Sequence, residues 1–265
     1  MARPRSRSLA QLLDGCDRGR HPSWARHTRR ALTRMSRLGI RTPARLRSRL
    51  ESLPARDRLE AVYLLGRLGY ERFVPPLIEI GREDRSDKVR MAAIEALYEI
   101  GSRRAAEGLL SILVDRGNSR ELRYHACYHM VWSDASQIVD AIIDLATDLD
   151  EHPSIRGQAL EGLHTNLPDE LDLRKNPTRR AAQVVLDCLD DPEGVVRFWA
   201  MYAAGCMRLK RALPKLEQLA ATDDFDGAMP WSNREEARDV AYLIRTDEWP
   251  EPDAMKRKAQ SPCPG

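Results

Sequence analysis

From Leu59 to Ile244 the apolar residues return at three- and four-residue spacing, in stretches of helical length separated by short polar turns. The stretch "KVRMAAIEALYEIGSRRAAEGLLSILVD", Lys88 to Asp115, carries two such stripes on either side of Gly101. Its first half recurs along the chain. Arg-x-x-Ala begins at Arg58, Arg90, Arg123, Arg156, Arg197 and Arg234, at spacings of 32, 33, 33, 41 and 37 residues. Seven positions after each arginine stand Leu65, Leu97, Met130, Leu163, Ala204 and Ala241, so this residue and the alanine share one helical face. A weaker copy precedes them, with Thr28 in place of arginine and Ala31, Met35, Leu38 and Gly39 in register.

A small residue at the alanine position lets neighbouring helices approach closely. Gly39, Gly69 and Gly101 suit left-handed helix ends before a turn. A second apolar helix follows each turn, as in "FVPPLIEI", "AAEGLLSIL", "IVDAIIDLA", "AAQVVLDCL" and "LPKLEQLA". Each unit is therefore a helical hairpin of about 33 residues that must stack on its neighbours to bury its apolar face.

The run "VRMAAIEALYEIG", with "LPKLEQL" and "VPPLIEI" in second helices, resembles the HEAT-repeat family, in particular the short-repeat subclass named after phycobilin lyases. The resemblance spans about residues 26 to 245 and implies an all-α fold: a right-handed solenoid, or superhelix, of about seven HEAT-like hairpins. It also implies an Asp and Arg ladder between repeats. Asp84, Asp150 and Asp191 each precede a motif arginine by six residues, whereas Arg58, Arg123 and Arg234 lack an aspartate there. We expect a basic disordered leader over 1–20, the solenoid over 21–248 and a disordered tail over 249–265. Two irregular stretches, "PDELDLRKNPTRR" from Pro168 and "TDDFDGAMPWSN" from Thr222, are either tolerated surface loops or insertions on a binding face.

Composition agrees with a helical protein: 42% of residues are hydrophobic, 31% charged and only 6% aromatic. Five scattered cysteines without a C-x-x-C pair suit a reduced, cytoplasmic chain. No run approaches the roughly 18 apolar residues of a membrane span, so no membrane role is expected. Charge is divided unevenly. Residues 1 to 58 hold 16 Arg and 4 acids, whereas the remainder is net acidic. That division points to nucleic acid, an anionic surface or an acidic protein as a partner of the basic arm.

Candidate chemistry is sparse. In "HACYH", His125 and His129 lie at i and i+4 on one helical face and are metal-ligand types, but Cys127 points the other way. His152, His164 and Asp134 are the conceivable further ligands, and a solvated helix face without metal or cofactor is the expectation. HEAT-type deoxyhypusine hydroxylases carry paired His-Glu dipeptides; none of the six histidines here precedes Glu. "LGIRTPARLR", Leu38 to Arg47, and "VWSD", with Trp132 and Asp134, are similar to segments of HEAT-like alkylpurine DNA glycosylases. Neither a Gly-rich phosphate loop nor a Gly-x-Ser-x-Gly elbow occurs.

Two surfaces remain. Arg29, Arg30, Arg34, Arg37 and Arg41 in the basic arm are candidates for nucleic-acid binding. The outward faces of the second helices place Glu107, Asp140, Asp144, Gln183, Asp187 and Lys215 on an inner wall whose acidic middle would attract a basic protein segment. The favoured expectation is a non-enzymatic protein-interaction scaffold. The alternatives are a nucleic-acid-binding relative of the glycosylases and an accessory lyase or chaperone for a cofactor-bearing partner.

Overall fold

The computed structural model describes residues 33, 50, 52–131, 138–165, 167, 177–226 and 232–250. All regular structure among them is helical. Two compact units result, Met1–Asp134 and Ala135–Gly265. The first holds α1 (Ala55–Leu68), α2 (Val74–Glu83), α3 (Asp87–Ile100), α4 (Arg103–Leu113) and α5 (Arg120–Val131). The second holds α6 (Val139–Thr147), α7 (Pro153–Thr165), α8 (Thr178–Asp187), α9 (Gly194–Cys206), α10 (Leu213–Thr222) and α11 (Asn233–Thr246). The all-α repeat of HEAT-like hairpins expected from the sequence is thus present in each unit.

Odd-numbered helices are the first helices of hairpins and carry the motif. Ala61, Ala93, Ala126, Ala159, Ala200 and Ala237 are all fully buried, as are Leu65, Leu97, Met130 and Leu163. Within the first unit α1 packs on α3 and α3 on α5; within the second α7 packs on α9 and α9 on α11. Close approach has a visible cause at Gly66, where a Cβ would lie 2.7 Å from the Cα of Ala96. Gly69 and Gly101 end α1 and α3 in the left-handed region, at φ 66° and 62°. Each second helix packs chiefly on the first helix that follows it, in the pairs α2 with α3, α4 with α5, α6 with α7 and α10 with α11.

The motif arginines hold these packed pairs together, but not with the partners the spacing suggests. Asp84 lies six residues before Arg90, yet it accepts two 2.8 Å hydrogen bonds from the preceding motif arginine, Arg58. Arg156 reaches forward to Asp191 in the same way, and Arg197 to Asp223 with two 2.7 Å bonds. Arg90 reaches forward to Asn118 where the others reach an aspartate, and it also donates to Asp87 on its own helix at 3.4 Å. Each aspartate also folds its own turn: Asp84 accepts from the Ser86 N–H, Asp191 from that of Glu193 and Asp223 from that of Phe225. The same arginines cap carbonyls at the end of the preceding second helix, as Arg90 does at Gly81, Arg123 at Leu113 and Arg156 at Ala146.

Leader residues 1–20, positions 251–265 of the expected tail, and residues 168–176 and 227–231 of the two irregular stretches lie outside the described residues. Among the described residues no helix is long and apolar enough to cross a membrane.

Candidate functional site

In the first unit, α1, α3 and α5 lie side by side, and their outer faces enclose a cleft of about 710 Å³. Tyr63 and Arg67 of α1, Glu95, Tyr98 and Glu99 of α3, and His129 of α5 line it. The Gly66 and Ala96 contact brings α1 against α3 and sets the cleft floor. Partial desolvation raises the hydroxyl pKa of Tyr63, whose side chain is exposed overall, and the neighbouring Glu95 adds to the shift.

His125 and His129 share one face of α5, as their spacing predicts, with rings 4.6 Å apart in an edge-on arrangement. Cys127 between them is fully buried on the opposite side. The residue that completes this cluster comes from the neighbouring helix: Glu95 Oε1 lies 3.6 Å from His125 Nε2, and one donor atom from each of the three groups falls within 4.8 Å of the others. His125 Nε2 is buried without a hydrogen-bond partner. Tyr98 and Tyr128 pack on the His129 ring at 5.1 and 5.4 Å between centroids. Burial, and next the neighbouring His125, push the His129 pKa down to about 4, so this ring is neutral at pH 7.

Glu95 is not among the further ligands considered from sequence. His152 bonds Ser154 at 2.8 Å, and both it and His164 belong to the second unit, while Asp134 lies outside the described residues. Glu95 was not legible as a partner because it sits five positions after Arg90, whereas His125 sits two after Arg123. Only the lateral offset of α3 against α5 brings those positions together.

The second helices present their expected residues outward. Glu107, Asp140, Asp144, Gln183 and Asp187 are exposed and Lys215 is half-buried. In the second unit, however, the acidic middle is partly neutralised. Arg180 of α8 pairs with Asp140 and lies 3.6 Å from Asp144, both on α6. Gln183 donates to Asp187 at 2.7 Å, and Lys215 pairs with Asp190. Glu107, in the first unit, pairs with Arg103 one turn earlier at 3.0 Å. Arg29, Arg30, Arg34, Arg37, Arg41 and Trp132 lie outside the described residues.

A second polar cluster lies between α7, α9 and α11. Gln158 donates to the buried Glu161, whose carboxyl is raised by burial against the opposing effect of that bond. His164 is lowered by burial, and its Nδ1 has no hydrogen-bond partner. Burial above all, with Cys206 and the carboxylates of Glu161 and Glu236, pushes Tyr202 up to about 12. Trp199 packs over Gly157, where a Cβ would meet the indole at 2.5 Å. Such groups are packed rather than poised, and the Cys188 thiol, pushed up to about 11 chiefly by burial, is equally inert.

Residues 43–121 match the family model of HEAT repeats. No curated protein matches the chain. Among solved structures, the complex of CpcE and CpcF of phycocyanin lyase from Nostoc sp. PCC7120 is 20% identical, with a TM-score of 0.48 over 66% of this chain and 98% of that one. A computationally designed armadillo repeat protein for modular peptide recognition is 17% identical, with a TM-score of 0.43 over 76% of this chain and 98% of its own. The designed armadillo repeat protein YIII(Dq)4CqI is 16% identical, with a TM-score of 0.44 over the same shares.

Proposed function

We propose that this protein, whose residues 43–121 match the family model of HEAT repeats, is a non-enzymatic scaffold that binds another protein through the outer faces of its hairpins. The observation that carries this reading is a group of exposed tyrosines in the first unit. Tyr63, Tyr124 and Tyr128 stand on the outer face of the first unit's first helices, beside a cleft that also offers Arg67 and Glu99. Tyrosine with arginine is the composition of energetically dominant interface positions, and an aromatic ring loses little conformational freedom on contact. A solvated helix face would be expected to carry lysine and glutamate there instead.

A second surface is supported by the Arg180 bridge. Asp140, Asp144, Arg180, Gln183, Asp187 and Lys215 form a comb of both signs across consecutive second helices, held in place by mutual bonds before any partner arrives. Its pattern suits an extended segment with alternating charge better than a uniformly basic one.

The test is affinity capture with the full chain from host lysate treated with nuclease, quantified by mass spectrometry. Tyr63→Ser with Tyr124→Ser should deplete a stoichiometric partner at least tenfold, while circular dichroism stays unchanged. Asp140→Lys with Asp144→Lys probes the comb separately. A partner retained by both variants overturns the proposed surfaces, and bound nucleic acid as the sole ligand overturns the scaffold reading in favour of the arginine arm.

A further inference from the structure

We propose that Glu95, His125 and His129 form a binding site for a divalent transition ion of the Zn²⁺ class. Two adjacent first helices supply three donors of the right chemistry: two imidazoles one turn apart on α5, and a carboxylate across from them on α3. Helical i and i+4 spacing lets both rings reach one point without backbone movement. The 3.6 Å between His125 Nε2 and Glu95 Oε1 is close to the edge of a tetrahedron, which is about 3.4 Å when bonds to zinc are about 2.1 Å. All three donors lie within 4.8 Å of one another, a separation that rotation about the side-chain bonds of His129 and Glu95 closes.

A second observation stands apart from the clustering. His125 Nε2 is buried with no hydrogen-bond partner, and it faces Glu95. A buried polar atom left in that state is destabilising, so the site is incomplete as the protein alone presents it. A cation bound between the three groups supplies the missing partner. Tyr63 of α1 lines the same cleft beside Glu95, where an outer-shell donor to a ligating carboxylate would stand.

The donor set selects the ion. Two imidazole nitrogens with one carboxylate favour Zn²⁺, Co²⁺ or Ni²⁺, whereas Mg²⁺ and Ca²⁺ require shells made mostly of oxygen. Cys127 takes no part, being buried on the far side of α5. Glu95 and His129 both line the 710 Å³ cleft, so the coordination position left open by three protein ligands faces that space. Water, or an acidic or imidazole group from outside, can occupy it. This inference concerns the purified chain alone and does not depend on the scaffold reading.

The experiment uses tag-free, full-length protein stripped with a chelator and titrated with Zn²⁺ against a chromophoric competitor. Co²⁺ serves as a spectroscopic probe of coordination. We expect one equivalent of Zn²⁺, intense visible absorption of Co²⁺ in a tetrahedral field, and no binding of Mg²⁺ at the same concentration. Glu95→Gln and His125→Asn, both close in shape to the native residues, should weaken Zn²⁺ binding at least tenfold, while His152→Asn leaves it unchanged. Absence of stoichiometric binding, or equal affinity in Glu95→Gln, His125→Asn and the native chain, overturns the proposal. Partner capture can fail without affecting this result, and the reverse also holds.

Discussion

Arg58 reaches across to Asp84 of the next turn and holds its carboxylate with two 2.8 Å hydrogen bonds, while its third nitrogen donates to the Leu53 carbonyl at 2.8 Å. The guanidinium is almost wholly buried. Replacing Arg58 by Ala leaves Asp84 without its partner and should destabilise the first unit by about 3–5 kcal/mol. Lysine should recover little, since an ammonium cannot reproduce the paired geometry. Urea unfolding of the two variants measures both, and a loss below about 1 kcal/mol for Arg58→Ala would contradict the structural role of the ladder.

The Arg180 bridge should behave differently. Arg180 and Asp140 are both well exposed, so solvent screens their attraction, and Arg180→Ala should cost less than about 1 kcal/mol. The same denaturation assay checks this. The substitution should nevertheless restore the acidic character that the sequence alone suggests for this face, detectable as tighter, salt-sensitive binding of a polylysine peptide.

Gly66 and Gly69 are three residues apart and constrained for unrelated reasons. At Gly66 a methyl group would press on the Ala96 backbone, forcing α1 from α3, and Gly66→Ala should cost about 1–3 kcal/mol by overpacking. At Gly69 no atom lies within 4 Å of an added Cβ, but φ is +66°, so Gly69→Ala should cost about 1 kcal/mol through backbone strain. Asparagine, which tolerates that conformation, should recover part of the loss at 69 but none at 66. Melting temperatures of the four variants decide it.

Acid should weaken the second unit partly through His164. Burial holds its folded pKa below the ordinary value of 6.5, so below that pH the unfolded chain binds more protons than the folded one. The contribution is fully present above about pH 6.5 and is lost as pH falls toward the lowered folded value. Glu161 acts with the opposite sign, because its raised pKa makes the folded state the better proton acceptor above 4.5. His164→Gln should therefore flatten the stability profile between pH 7.5 and 5, and Glu161→Gln should steepen it. Urea midpoints across that range would show an unchanged slope if His164 titrated normally.

Much of the fold was legible because the repeat writes it several times. Ala93 or Leu97 alone would be a weak signal; six alanines in register all proved buried. The ladder was legible in type but not in direction. Spacing associated Asp84 with Arg90, six residues away, whereas the chain folds so that Asp84 meets Arg58 from the repeat before. Glu95 and Arg180 were less accessible still. Each meets its partners across neighbouring helices, about 30 to 40 residues apart, with an offset fixed by how Ala96 and Gly66 or their counterparts let the helices settle. Helical periodicity gives the face of a residue but not its height against the next helix.

The clamps have a consequence for how such a chain can be cut and rejoined. Arg90 ties its own helix to the end of α2, whereas Arg58 of α1 holds Asp84 beyond α2, so clamps cross both kinds of turn. Neither the hairpin that the sequence displays nor the helix pair offset from it is a self-contained cassette. A splice at the glycine turn keeps Arg90 with the Gly81 carbonyl but parts Arg58 from Asp84, and a splice at the aspartate turn does the reverse.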